Sequence, residues 1–478
     1  MWARSQPGER RIDRVRQLTE GMRPRREDPT RSRPQLKTSA GAQLDPESTT
    51  RYGPPRHPPR TIMANEWLLS GTGYRTLPNL SPARPAAVHV CVYPRKRASP
   101  YADRCHTPVM RTLYVAAGGG GDALGGLMVH GVIGDTAEVP LFIATYAWER
   151  LRIDPSPGPR GISGFQGLDT VGGEPLEISP SSDTVPPGRS TLPRLAAASR
   201  ARLFLLDPGI GAVGMRRQLA HMVDHLGIDR VDVVDIGGDV IAAGSELGLL
   251  SPLADALALA ACRDLEVQVR VIVAGPALDG ELDEATTRRN LQAVGAARIG
   301  EVGPGEYAAV RDILAWHPTE ATAVLAAAGI GVRGVVEIRR SFIRVEVTDN
   351  STGVWAARLK DVIDHSLIVE DLGDTETLAD VEDVVGRTAV SELDRERQKA
   401  LNLPKETGSS EDTTRKIRDY ATKAKDREVD FITHRRLVEA AHAPGLSPDD
   451  VRRLMGLRAG EAMRGPLWDL SAILHGSG

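Results

Sequence analysis

Three stretches place an acid beside glycine at the end of an apolar run: 111-RTLYVAAGGGGD-122, 201-ARLFLLDPGIGAVG-214 and 231-VDVVDIGGDVIAAGSE-246. Glycine lets a backbone approach an anion closely, and a following helix offers unpaired N–H groups. Gly118, Gly120 and Ala123 satisfy G-x-G-x-x-G/A after a strand and before a helix. Gly118, Gly119, Gly120 and Gly121 are therefore expected to approach a phosphate. The competing reading is a tight turn that packs a helix on its strand. Asp122 argues against a plain dinucleotide loop, because it would repel a bare pyrophosphate. Its partner is expected to be a cation, a ribose hydroxyl or an amine. A dinucleotide site also needs an acid roughly 20 residues on. Asp135 comes too early for that and Glu149 rather late.

Asp235 ends the most apolar run of the chain, Gly237 and Gly238 open the backbone, and Asp239 and Glu246 follow. Ligands of open α/β sheets bind beyond the carboxyl ends of strands. Asp122, Asp235, Asp239 and Glu246 are thus expected in one crevice, with Asp207 repeating the same pattern on a third strand. Clustered carboxylates repel one another unless a cation joins them. Asp122, Asp235 and Asp239 are accordingly candidate Mg²⁺ ligands, and Asp235 and Asp239 candidate catalytic groups. The competing reading has Asp239 and Glu246 capping a loop and a helix. Asp255 is a further candidate, against an exposed or paired acid. In 316-WHPTEAT-322, His317 is a candidate general acid or base, against a capping or packing role. The segment 391-SELDRER-397 reads as a surface helix with no assigned role. GxSxG, Walker A and HExxH motifs are absent from the sequence.

These residues need strands to carry them. RTLYVAA, PLFIATYAW, ARLFLLD, VDVVDIGGD and VQVRVIVAG read as near-continuous apolar strands, with helices between them. That alternation predicts a Rossmann-like, doubly wound, mostly parallel α/β sheet. VVEI and FIRVEV alternate instead, which predicts antiparallel strands with one wet face at the sheet edge. The Gly/Pro/Ser segment 154–193 reads as disorder with local ordering, or as a lid.

The chain of 478 residues divides into an Arg/Pro-rich tail over 1–108, an α/β domain over 109–400 and a helical appendage over 401–478. The tail is too polar to fold and is expected to be disordered. Two readings of it stand: translation upstream of a natural start near Met110, or a basic tail that touches nucleic acid or membrane. A helix-turn-helix over 430–456 is an alternative for part of the appendage, but no basic recognition face stands out. A net charge of −3 argues against a general polyanion binder, and three unpaired cysteines without CxxC suit a reducing cytoplasm. No run of apolar residues is long enough to span a membrane.

GGGGDALGG, DIGGDVIAAGSELGLLSPLADA, WHPTEAT and SELDRER together resemble a family of archaeal and bacterial proteins, domain of unknown function 1152. The resemblance covers about 110–400. It implies the fold and the position of a site, but no reaction. The Lys-poor, Ala/Gly/Val/Arg-rich usage fits a GC-rich bacterium and a role in specialised metabolism. The expected function is an enzyme that binds a nucleotide or other phosphorylated small molecule, with Mg²⁺, for group transfer or metal-assisted hydrolysis. The alternatives are a non-catalytic nucleotide sensor and a metal-independent enzyme acting on an amino acid.

Overall fold

A computed structural model describes residues 110–134, 140–339, 343–388, 391–401, 410–443, 445–458 and 460–475. The tail over 1–108, with Cys91 and Cys105, lies outside the described residues. In chain order the strands are Thr112–Ala116 (β1), Leu141–Tyr146 (β2), Phe165–Gln166 (β3), Asp169–Val171 (β4), Glu174–Ile178 (β5), Asp183–Thr184 (β6), Ala201–Leu206 (β7) and Arg230–Ile236 (β8). They continue with Gln268–Ala274 (β9), Ala297–Glu301 (β10), Gly334–Glu337 (β11), Arg344–Val347 (β12), Gly353–Arg358 (β13), Phe431–Thr433 (β14), Met463–Arg464 (β15) and Leu467–Asp469 (β16).

Nine strands form the main sheet in the order β10-β13-β9-β8-β1-β2-β7-β5-β4. The central pairs β9-β8, β8-β1, β1-β2 and β2-β7 are all parallel. Antiparallel strands finish both edges. Chain order reverses on the two sides of β1, so the loops after β1 and β8 diverge and leave a crevice between them.

The continuous apolar runs are explained by burial on both faces. Leu113, Val115, Val231 and Val233 point into one core, beneath the helices Gly211–Leu226 and Pro252–Cys262. Tyr114, Ala116, Val234 and Ile236 point into another, beneath Gly120–Ile133 and Ala321–Gly329. Successive side chains of a strand alternate sides, so two covered faces favour apolar residues at most positions; buried Asp232 of β8 is an exception, paired with Arg230 and Arg270.

Two expectations change. The segment 154–193 is not a disordered loop, for β5 pairs with β7 and carries β4 on its far side. The Arg160 guanidinium grips Asp154 at 2.5 and 2.6 Å, and Asp207 accepts from the Ile162 amide at 2.9 Å. Strand pairing and these bonds satisfy a backbone that lacks apolar patterning. β11 and β12 are antiparallel and alternate in burial, with Val345 and Val347 inward. They nevertheless lie in a second sheet, β12-β11-β14-β16-β15, and not at the edge of the main one.

That second sheet ties the C-terminal segment down. Helices are present beyond residue 400, and β14, β15 and β16 accompany them, with β14 parallel to β11. Arg452 and Arg453, on the helix Pro448–Met455, pair with Asp449 and Asp450 one turn back, which neutralises that face. No helix among the described residues is long and apolar enough to cross a membrane.

Glu337 on β11 is fully buried and meets Arg427 at 2.5 Å, Arg436 at 3.4 Å and the Tyr420 hydroxyl, all from the C-terminal segment. Removing one member of a buried ionic cluster leaves the others desolvated without a partner. Glu337→Ala is expected to lower unfolding free energy by about 3–5 kcal/mol in urea titration. A loss under about 1 kcal/mol, the scale of an exposed pair, would show that apolar contacts hold this joint.

Candidate functional site

A cavity of ≈ 520 Å³ opens at the carboxyl ends of β1, β2, β8 and β9. Gly118, Gly121 and Asp122 line it after β1, and Asp235 and Asp239 after β8. Asp255 and Ser251 come from the helix that follows, and His317, Thr319 and Glu320 from the WHPTEAT stretch. Glu392, Arg395 and Glu396 complete the wall, so SELDRER is no plain surface helix. All four quoted motifs therefore meet at one place.

Asp235, Asp239 and Asp255 each offer a carboxylate oxygen within 4.8 Å of the others. Asp235 and Asp255 are buried and Asp239 partly so. Asp255 Oδ1 and Asp279 Oδ2 are buried with no hydrogen-bond partner among the described residues. Burial, reinforced by mutual repulsion, holds the carboxyls of Asp235, Asp239 and Asp255 well above the ordinary range. Burial likewise pushes Asp122 up to about 7, Asp279 to about 6 and Glu392 to about 8. Such groups remain charged together only if a cation joins them. The donors are all hard oxygens, which suits Mg²⁺ or a similar ion.

The glycines serve the acids. A Cβ at Gly118 would overlap the Asp122 carboxylate, and one at Gly237 would overlap Asp279. The Gly118 amide donates to Asp122 at 2.7 Å and the Gly238 amide to Asp235 at 2.7 Å. The Gly118 N–H expected to meet a phosphate thus already meets a carboxylate. Gly119, Gly237 and Gly238 stand in the turns and are not among the lining residues, and Gly120 opens the helix Gly120–Ile133. Helix N-termini are treated in the same way. Ser251 is the N-cap of Pro252–Cys262 but turns its hydroxyl to Glu281, while Glu392 accepts from the Leu253 and Ala254 amides at 3.4 and 3.3 Å.

Two expected members lie elsewhere. Glu246 caps the turn before it, accepting from the amides of Ala243, Gly244 and Ser245 at 2.7–3.0 Å. Asp207 accepts from Ile162 and Gly209 at 2.9 Å and fastens the 154–193 segment. Both carboxylates are already satisfied by backbone N–H groups, which is why they do not join the cluster.

His317 is buried and faces the cavity, and burial lowers its pKa to about 4, so it is neutral at pH 7. Its Nε2 lies 3.4 Å from the Thr191 hydroxyl. That hydroxyl has one proton and lies 2.6 Å from Glu149, to which it donates. Thr191 is then the acceptor for His317 Nε2–H, and the lone pair falls on Nδ1. Nδ1 is buried with no partner among the described residues.

The sequence singled out neither Asp279 and Glu281 nor the cations of this cavity. Arg339 bonds Glu281 at 2.6 Å. Arg435 bonds Glu320 at 3.0 Å, and Glu320 also accepts from Thr433 and from the Arg339 amide. Arg339 has φ of 43°, an uncommon backbone for a residue other than glycine. The fall of carboxylates along ALDGELDEA was the available signal. Nothing in the sequence linked residue 435 to residue 320.

The model of the family described as Protein of unknown function (DUF1152) matches residues 113–400. The chain belongs to that family. No curated protein and no solved structure matches it. Arg435 and Glu439 line the cavity from beyond the matched residues.

Two measurements check this geometry. With carboxyls at about 7 and about 6, against about 3.8 when unfolded, folded protein keeps protons that the unfolded chain releases. Metal-free stability is therefore lost as pH rises from about 4 to about 7 on account of these groups. Asp122→Asn removes its share, so its gain in melting temperature in EDTA is expected to be several degrees larger at pH 8 than at pH 5. An equal gain at both would count against the perturbed carboxyl. Nitrogen-15 NMR of labelled histidine is expected to show His317 neutral at pH 7 with the proton on Nε2. A proton on Nδ1 would overturn the Thr191 contact.

Proposed function

We propose that this member of the family is a Mg²⁺-dependent enzyme acting on a nucleotide or other phosphorylated small molecule, by group transfer or metal-assisted hydrolysis. The observation that carries the reading is the convergence of Asp235, Asp239 and Asp255, with a buried Asp255 oxygen left without a partner. The parallel order either side of β1 supports a Rossmann-like, doubly wound sheet, whose ligands bind at such a reversal point. A cavity of ≈ 520 Å³ is of nucleotide size. The reading assigns the enzyme to the bacterial cytoplasm.

Asp235, Asp239 and Asp255 would hold the ion, with Asp122 and Asp279 beside them as further oxygen donors. The ion, when bound, supplies charge stabilisation to a phosphoryl group and acidity to a water. Gly118 and Gly121 give the wall a stretch without side chains, where a substrate approaches the acids closely. His317, neutral with its lone pair on Nδ1, acts as a proton acceptor rather than a donor. Glu149 and Thr191 position it.

Isothermal titration calorimetry tests the reading. Wild-type protein is expected to bind Mg²⁺, and Asp235→Asn to weaken that by at least about tenfold with its melting temperature in EDTA not lowered. ATP, ADP, NAD and S-adenosylmethionine are then titrated with and without Mg²⁺. Mg²⁺-dependent binding of one of them, with turnover, supports the enzyme. Mg²⁺-independent binding without turnover favours a nucleotide sensor, and absence of Mg²⁺ binding removes the metal from the site.

A further inference from the structure

The cavity has a second pole opposite in charge to the carboxylates. Arg150, Arg152, Arg339, Arg395 and Arg435 all line it. Four of these have partners within the protein. Arg339 pairs with Glu281, Arg435 with Glu320 and Glu439, Arg152 with Glu439, and Arg395 donates to the Leu250 carbonyl. Arg150 differs. It stands open to the cavity, four residues past the end of β2, and among the described residues its guanidinium makes no hydrogen bond or ion pair.

Its surroundings do not explain it. Arg150 is an exposed residue lining the cavity; desolvation lowers its pKa first, and the positive charges of Arg435 and Arg339 lower it further. Arg150 helps to lower the pKa of Asp122 and of Glu392, and the acids that most attract it are Glu320 and Glu396. Both are committed elsewhere. Glu320 holds Arg435, Thr433 and the Arg339 amide. Glu396 accepts from Trp148 Nε1 at 2.9 Å and from the Gly158 amide at 3.0 Å. A guanidinium with five planar donors thus lines a nucleotide-sized space that Arg339 and Arg435 line as well. That arrangement recognises an oxyanion.

The glycine loop is a poorer seat for the same group. Its first amide donates to Asp122, and the neighbouring wall is carboxylate. An anion placed there without a cation meets repulsion. An anion at Arg150 meets a guanidinium that makes no hydrogen bond or ion pair among the described residues.

We propose that Arg150, backed by Arg435 from beyond the family-matched segment, is the docking site for the phosphoryl oxyanion of the substrate. The proposal deepens the phosphorylated-substrate reading above and rests on it for the identity of the anion. The substrate then lies across the cavity, with a phosphate at Arg150 and its cation-facing oxygens toward Asp235, Asp239 and Asp255. Because Arg435 and Glu439 lie outside residues 113–400, the charge of this pole depends on the C-terminal segment.

The test uses full-length protein, with pyrophosphate and inorganic phosphate as probes in calorimetry, each in Mg²⁺ and in EDTA. Wild type is expected to bind pyrophosphate. Arg150→Ala is expected to weaken this about ten- to a hundredfold, in EDTA as well as in Mg²⁺, with Mg²⁺ affinity retained. Arg150→Lys, which keeps the charge but not the planar fork, is expected to fall between the two. Should Arg150→Ala not fold, the Arg150→Lys result decides, with an unchanged affinity overturning the proposal. Pyrophosphate affinity unchanged in Arg150→Ala overturns it too, as does a wild type that binds neither probe. Failure of the metal reading shows separately, as absence of Mg²⁺ binding while the Arg150-dependent affinity persists in EDTA.

Discussion

The arrangement depends on one unfavourable interaction: several buried or partly buried carboxyl groups crowded together beyond the ends of parallel strands. Desolvation and like-charge repulsion act in the same direction on Asp122, Asp235, Asp239 and Asp255. Much of the local structure reads as a response. Glycine at 118 and 237 makes room for the side chains of Asp122 and Asp279. Amides of Gly118 and Gly238 donate to two of the acids. Arg339 adopts a left-handed backbone and pairs with Glu281, whose depressed pKa keeps one negative charge fixed beside the cluster. Groups held this far from their ordinary state are typical of sites where chemistry or ion binding restores the balance.

The same electrostatics connect the C-terminal segment to the sheet. Glu320 stands at the start of the helix Ala321–Gly329, whose Thr322 hydroxyl donates to the Gly121 carbonyl. Arg435 and Thr433, from the far end of the chain, hold Glu320 from the other side. One buried acid therefore couples the glycine turn, the histidine-bearing stretch and the last structured segment. Glu337 makes a second such joint a short distance along, with Arg427, Arg436 and Tyr420. The C-terminal segment is thereby part of the cavity wall and not an adjunct to it.

Local pattern is enough to mark several of the residues that matter. The near-continuous apolar runs of β1, β2, β7, β8 and β9 indicate doubly covered strands, since a strand with one wet face alternates instead. Asp122, Asp235, Asp239, Asp255 and His317 stand out because each sits at a strand end or helix start of recognisable pattern. Glu246 and Asp207 follow the same pattern and do something else. A carboxylate two or three residues from free backbone amides can cap its own turn, and the sequence looks alike in both cases.

What the sequence determined by itself is the set of local choices: which runs are strands, where glycine interrupts them, and which acids follow. Periodicity and turn chemistry act over a few residues, so they are legible there. Only the tertiary structure decided which acids share a space, because that depends on strand order across the sheet and on contacts between residues far apart in the chain. Glu392 reached a helix N-terminus about 140 residues away, and Arg435 reached Glu320 across 115. The segment 154–193 became ordered because an open edge of β7 was available to pair with it. No property of its own composition announced that edge.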